Sequence, residues 1–158
     1  MKNIEIIISK TEVLEKVSLE SAYTGAKTDQ DDRFYDRVAT INADKELLSG
    51  FWIESCGKIT DKLREFIRSS VNNELALTLN LEISNAYDEA LTPSVKEDLR
   101  GVLLYGIIGR WFRFTFPERS AEWLAQSSDL LERACSKLCH RSRPVRKGVS
   151  LKSGSLNQ

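Results

Sequence analysis

The sequence predicts a mainly α-helical protein, a helical bundle of about four long amphipathic helices with one or two short β-strands. Three observations carry this prediction. Apolar residues recur at helical spacing through residues 33–71 and 92–116, and again from residue 118 onward. Two short segments have the β-branched or alternating composition of strands. Finally, 41% of the residues are apolar and 29% are charged, which is sufficient for a core and unlike a disordered chain.

With 158 residues, the chain has the length of one domain. We assign residues 1–140 to a single α-rich domain, in which residues 1–28 are an N-terminal strand-and-helix extension and residues 29–140 are the core. Residues 141–158 are predicted to be a basic, flexible tail. The tail carries five basic residues and no acidic one, whereas residues 1–139 carry 18 basic and 23 acidic residues. This charge asymmetry is the first indication of function.

The N-terminal part begins with a β-branched run at residues 4–8, which predicts a strand. A weakly amphipathic helix is expected next, opening near Thr11. Residues 24–32 have the composition of a loop. Their aspartates lie where the following helix should begin, and there they can cap free backbone amides.

The longest periodic segment covers residues 33–71 and predicts one long amphipathic helix. Gly50 and Gly57 lie inside it, and each glycine should cost about 1 kcal/mol relative to alanine. We therefore expect close packing, a kink or a break into two helices near these glycines. The apolar stripe of this segment consists of Val38, Ile41, Leu48, Trp52, Ile59, Leu63 and Phe66.

Residues 75–83 alternate between apolar and small or polar side chains, which predicts a strand with one apolar face. Because only one other strand is predicted, and a lone hairpin is marginal in water, this strand has few partners within the chain. Either a helix covers its apolar face or another chain completes the sheet. We assign this face to a subunit interface between copies. The interface residues are Leu75, Leu77, Leu79, Leu81 and Ile83.

The second strong helix should begin at residues 92–97. Pro93 suits the first helical turn, and Ser94 with Glu97 has the spacing of a capping box. Pro117 should end this helix, and a last helix is predicted from about Glu118.

The chain offers few groups for catalysis. Its single histidine, His140, lies at the junction of the last helix and the tail, and we expect neither a catalytic triad nor a two-histidine metal site to be built from it within one chain. Cys135 and Cys139 lie near His140 and come closest to metal-ligand spacing, but small buried thiols are the commoner role of such cysteines. We therefore predict no catalytic residue, no cofactor and no metal, and a protein that is not an enzyme.

Targeting signals are equally sparse. The first residues lack the apolar region of a secretory signal, and three cysteines are too few for a disulfide framework, so a reducing compartment is expected. The apolar stretch at residues 101–116 is too short for a bilayer and is interrupted by Arg110 and Arg113. No contact with a membrane is expected.

The basic tail and an aromatic cluster are the candidates for binding. Residues 111–116 are rich in aromatic side chains interleaved with Arg110 and Arg113, which suits either base stacking or, more commonly, the sealing of a core. The tail residues can pair with nucleic-acid phosphates, with an acidic protein surface or with nothing. The basic residues assigned to partner or nucleic-acid contacts are Arg141, Arg143, Arg146, Lys147 and Lys152.

The order of these elements resembles a known family. The acidic loop, the long helix, the strand and two further helices occur in sequence, and the second long helix begins with PSVKEDL at residues 93–99 and ends with RWFRF at residues 110–114. In these features residues 29–140 resemble the small, mostly helical head–tail connector proteins of tailed bacteriophages, also called adaptor or head-completion proteins. The first 28 residues and the basic tail depart from the family pattern.

The resemblance implies a structural virion protein that assembles as a ring of about a dozen copies beneath the portal and joins the capsid to the tail. Its implied partners are copies of itself, the portal protein and tail or further neck proteins, and the basic tail could reach the DNA that passes through the channel. Its implied location is the neck of the virion, and the host cytoplasm during assembly. The alternative interpretation is a small nucleic-acid-binding or regulatory helical domain that uses the basic tail.

Overall fold

The computed structural model describes residues 1–27 and 33–142. About 68% of the described residues are helical when two short 3-10 helices, Asn42–Asp44 and Glu89–Leu91, are included, which confirms a mainly α protein with four long helices. The described helices are α1 (Lys10–Lys27), the short α2 (Phe34–Val38), α3 (Lys45–Lys62), α4 (Thr92–Thr115) and α5 (Pro117–Leu138), and the strands are β1 (Lys2–Ser9), β2 (Ile67–Asn72) and β3 (Ala76–Ile83). The sequence indicated β1 and β3 but not β2.

The three strands form an antiparallel sheet in the order β1-β3-β2. Ile6 of β1 lies opposite Leu79 of β3, and Ile8 lies opposite Leu77. Side chains at every second position therefore share one face of the sheet, and this inner face is buried beneath the helices. The opposite face, which includes Glu5 and Glu82, is exposed to solvent.

The prediction that residues 75–83 have few strand partners within the chain is wrong. β3 is the central strand and pairs with β1 on one side and with β2 on the other. β2 was missed because its sequence, IRSSVN, has no apolar alternation and almost all of it is exposed. Its pairing with β3 is fixed by the turn at residues 73–75, where the Asn73 side chain accepts hydrogen bonds from the backbone amides of Leu75 and Ala76.

The prediction of one helix over residues 33–71 is also wrong, and the break is not at the glycines. The chain leaves α2 at Ala39, whose backbone is extended. Thr40 then bonds to α1: its hydroxyl donates to the Ser18 hydroxyl at 2.9 Å, and its amide donates to the Ser21 hydroxyl at 3.4 Å. Because these bonds compete with helical ones, the helix restarts only at Lys45.

α4 and α5 form a tight antiparallel hairpin. Phe116 alone separates the two helices, and Pro117 occupies the first turn of α5. The Ser120 hydroxyl donates to the carbonyl of Gly109 at 2.7 Å, and a Cβ at Gly109 would lie 2.7 Å from the side chain of Leu124. Glycine at this position therefore allows the close approach of α5. Since α4 begins at Thr92, Ser94 does not cap it and instead accepts a hydrogen bond from Lys137 at 2.6 Å.

The N-terminal segment, predicted as an extension, contributes directly to the core. β1 is an edge strand of the sheet, and Val13 and Val17 of α1 are fully buried. Trp52 of α3 is also buried, and its indole nitrogen donates to the Asn72 side chain of β2 at 3.0 Å. The core therefore lies between the inner face of the sheet and the helices. Among the described helices, none is both long and apolar enough to cross a membrane.

Candidate interaction surfaces

The outer face of α3 presents two exposed apolar residues among its charged side chains. Leu47 and Ile53 are 44% and 61% exposed. Gly50 and Gly57 lie beside them at helical spacing, and a Cβ at either glycine would meet no atom within 4 Å. These glycines weaken the helix without serving any packing inside the described chain. We call the surface formed by Leu47, Gly50, Ile53, Gly57 and Phe114 the α3 face.

Phe114, near the end of α4, extends the α3 face. Its side chain is 72% exposed, and its ring is stacked on that of Phe51, with 6.4 Å between the centroids and 10° between the planes. Exposed apolar residues are ordinary when they are scattered, but a cluster indicates an interaction site. Phe114 brings apolar surface from a second helix to α3 through its contact with Phe51.

Arg110 fixes α3 against α4 beneath this surface. Its guanidinium is buried, donates to the Ser55 hydroxyl at 2.8 Å and to the Gly106 carbonyl at 3.1 Å, and pairs with Glu54 at 2.9 Å. All of these groups belong to α3 or α4, so Arg110 is a structural residue and is not available to nucleic acid. Arg113, one turn away, is exposed.

The neighbouring aromatic residues seal the core, as the commoner interpretation expected. Trp111, Phe112 and Phe116 are buried. The indole nitrogen of Trp111 donates to the carbonyl of Val38 at 2.7 Å, which ties the end of α4 to α2. Phe112 contacts both Phe116 and Trp123 edge-on.

The assignment of the β3 leucines to a subunit interface is contradicted by their burial. Leu77, Leu79, Leu81 and Ile83 are at most 1% exposed because helices of the same chain cover them. They are core residues that a second subunit cannot reach. Only Leu75, before the strand, is exposed, at 72%.

The predicted basic contact residues are mostly outside the described part of the chain. Arg141 is exposed and forms a bridge with Tyr87. Ser142 follows, and its amide donates to the carbonyl of Ala86 at 2.8 Å. The other four residues, Arg143, Arg146, Lys147 and Lys152, lie beyond the described residues. The predicted flexibility of the tail concerns the same part of the chain and stays a prediction.

A groove runs along the free edge of β1, and we call it the β1 groove. No described strand pairs with this edge. The first turns of α4 form the opposite wall, so that the groove consists of two adjoining cavities of about 490 and 380 Å³. Pro93 and Lys96 line both cavities.

A separate cavity of about 710 Å³ lies between α1 and the start of α3. Lys10 and Lys45 line it, together with Glu15 and Glu74. Because the two signs of charge are balanced there, the cavity does not favour an anion or a cation.

The cysteines and the histidine do not converge. Cys56 is buried in the core, Cys135 is half-buried on α5, and Cys139 and His140 are exposed. Within residues 1–27 and 33–142, no group of three or more His, Cys, Asp or Glu side chains is placed to hold a metal ion.

The thiols of Cys56 and Cys139 should differ sharply in reactivity. Burial raises the pKa of the Cys56 thiol to about 12, although Lys10 opposes this shift, and thiolates are the reactive form. At pH 8 a thiol reagent should therefore label Cys139 rapidly and Cys56 only after unfolding. Because the folded pKa of Cys56 is raised, its contribution to stability is complete below the unfolded pKa and is lost as the pH rises towards about 12.

Mass spectrometry of the labelled peptides checks the order of labelling, and Cys56→Ala checks the pH dependence. The variant should lose less stability than the wild type between about pH 9 and pH 12. Labelling of Cys56 at the rate of Cys139 in the folded protein would contradict its burial.

The α3 face was missed by the sequence analysis because Leu47 and Ile53 fall outside the buried stripe of the helix. A signal was present, since two glycines seven residues apart interrupt an otherwise helical segment.

No family model, curated protein or solved structure matches this chain.

Proposed function

We propose that this protein is a non-enzymatic structural subunit of a tailed-phage particle, a head–tail connector that assembles as a ring beneath the portal. The mainly α fold with four long helices supports the proposal, together with the motifs at residues 93–99 and 110–114. Its neighbours in the neck of the virion are the portal protein and tail or further neck proteins. β3 does not support this proposal, because β1 and β2 of the same chain pair with it on both sides.

The α3 face is the observation that carries the proposal. It presents Ile53, 61% exposed, on the same helix as two glycines that carry no side chain, and Phe114, 72% exposed, lies against Phe51 of that helix. Glycine allows a neighbouring backbone to approach closely, and exposed apolar side chains gain stability when a partner buries them. A neighbouring copy that contacts this face through a different surface makes a heterologous contact, and such contacts repeated around an axis close into a ring.

Substitution of Ile53 tests the role of the α3 face. Ile53→Asp should shift the purified protein from rings to single subunits, because the aspartate would be buried unpaired at the contact. Mass photometry and negative-stain images measure this shift. Leu19→Asp is the matched control, since Leu19 is 70% exposed on α1, away from the α3 face.

Two outcomes count against the connector. A wild-type protein that remains monomeric at every concentration, alone and with a portal protein encoded beside it, would contradict the proposal. Salt-sensitive binding of duplex DNA by a monomer, lost when residues 141–152 are deleted, would favour the nucleic-acid-binding alternative.

Replacement of Gly50 and Gly57 with alanine should have opposite effects on folding and on assembly. Alanine fits the open space at both positions and favours helix by about 1 kcal/mol each, so the melting temperature of the subunit should rise. The added methyl groups should hold the neighbour away and weaken association about tenfold. Thermal unfolding and mass photometry measure the two effects, and assembly that is as strong as in the wild type would exclude close packing at this face.

A further inference from the structure

The cavity of about 710 Å³ between α1 and the start of α3 offers accessible apolar surface. Leu14 and Ile41 line this cavity, and the side chain of Ile41 is 64% exposed. Protein pockets that accept whole ligands measure about 300–1,000 Å³. The cavity therefore has room for a large apolar side chain that a partner presents.

Four charged side chains of the same cavity have no ion-pair partner. They are the cations Lys10 and Lys45 and the carboxylates Glu15 and Glu74. No ion pair joins any of them to another residue within the ranges 1–27 and 33–142. Charges of both signs favour a partner that also carries both, because like charges brought into contact repel each other. The cavity thus fits a group with an apolar centre, a cation and an anion.

The turn that joins α4 to α5 presents such a group, and we call residues 113–118 the α4–α5 corner. Phe114 is 72% exposed, and Arg113 and Glu118 are exposed as well. Neither of these two charges forms an ion pair in the part of the chain that the structure describes. The α4–α5 corner therefore offers one aromatic ring and one free charge of each sign.

The α4–α5 corner is held in place by its own chain. The Ser120 hydroxyl donates to the carbonyl of Gly109 at 2.7 Å, which ties the first turn of α5 to α4. The indole nitrogen of Trp111 donates to the carbonyl of Val38 at 2.7 Å, which ties the end of α4 to α2. Because the backbone is already ordered, the corner loses little conformational entropy when it binds.

On the basis of the ring assembly proposed above, we propose that the α4–α5 corner of one copy docks into the cavity between α1 and α3 of its neighbour. Phe114 contacts the apolar wall formed by Leu14 and Ile41. Arg113 faces the two carboxylates of the cavity, and Glu118 faces its two lysines. The corner and the cavity share no residue, so the contact is heterologous and can repeat around an axis. The cavity is thereby the second surface that a ring built through the α3 face requires.

Cross-linking between two cysteine variants of the full-length chain tests this contact. Cys135→Ala/Cys139→Ser first removes the native thiols that lie outside the core. Asn42→Cys, in the cavity, and Glu118→Cys, in the corner, are then introduced into separate chains. A short bismaleimide reagent should join the two chains when they are mixed, whereas neither variant alone should give a cross-linked dimer.

A substitution in the cavity gives a second measurement. Ile41→Asp should weaken association about tenfold, because the aspartate would be buried against the aromatic ring of the neighbour. Tyr23→Asp is the matched control, since Tyr23 is 63% exposed on α1 and does not line the cavity. Mass photometry measures association, and thermal unfolding shows that both variants are folded.

The outcomes separate this contact from the connector function on which it rests. Rings that form without a cross-link between the two cysteine variants would overturn the contact and leave the connector in place. Rings in which Glu118→Cys alone gives a cross-linked dimer would also overturn it, because two corners would then face each other. A protein that stays monomeric, alone and with a portal protein encoded beside it, would overturn both the ring and this contact.

Discussion

Replacement of Leu79 with alanine should lower the free energy of unfolding by about 2–5 kcal/mol. Leu79 lies at the centre of the central strand, opposite Ile6 of β1 and Ser70 of β2, and none of its surface is exposed. Removal of its side chain forfeits buried apolar contacts and leaves a cavity that the surrounding sheet and helices cannot fully close. Since domains of this size are stable by about 5–15 kcal/mol, the loss would be a large fraction of the total.

Urea denaturation of the isolated subunit measures this effect, with an unchanged slope showing that the change is one of stability. Val71→Ala on the edge strand β2 is the control, because Val71 is 52% exposed and should cost less than about 1 kcal/mol. If Leu79→Ala left the unfolding midpoint unchanged but weakened association, the residue would belong to an interface, as the sequence alone suggested.

Replacement of Asp98 with alanine should cost about 3 kcal/mol. Its carboxylate is 9% exposed and accepts a hydrogen bond from Lys137 of α5, and Arg133 lies 3.9 Å away. The variant leaves the Lys137 ammonium, itself only 22% exposed, without its counter-charge between the two helices. A partly buried charge that loses its partner retains the cost of desolvation.

The double variant Asp98→Ala/Lys137→Met tests whether the unpaired charge of Lys137 causes this loss of stability. If an unpaired charge causes it, the second substitution should recover most of the stability, because an apolar pair of similar volume is often neutral. Glu97→Ala is the control, since Glu97 is 65% exposed and lies 3.6 Å from Arg100, an arrangement worth at most about 1 kcal/mol. Chemical denaturation measures the free energy of unfolding of all three variants. Equal losses of stability in Asp98→Ala and Glu97→Ala would show that the ion pair between Asp98 and Lys137 is unimportant.

The long helices could be predicted because each of them has a local signal. In α4 the periodic apolar residues, Pro93 near the start and Pro117 just beyond the end are all visible in the sequence. The alternation at residues 75–83 likewise placed β3 within one residue of its observed start. These signals depend on the geometry of a single element, and periodicity reports that geometry directly.

The region between residues 33 and 72 could not be predicted in the same way. The bonds from Thr40 to Ser18 and Ser21 join segments about twenty residues apart, and no local pattern announces them. β2 is polar and exposed, so only its pairing with β3 makes it a strand. The missed β2 led to a second error, because β3 then had at most one strand partner in the predicted chain.

The sequence by itself determined the mainly α composition, the position of the central strand and the basic character of the C-terminal segment, since these properties are local or additive along the chain. Only the tertiary structure decided which apolar residues are core and which are surface. The leucines of β3 became core because β1, β2 and the helices meet around them, while Ile53 and Phe114 remained outside because nothing in the described chain packs over them. Burial depends on contacts between distant segments, and a one-dimensional pattern of apolar residues does not specify which of those contacts form.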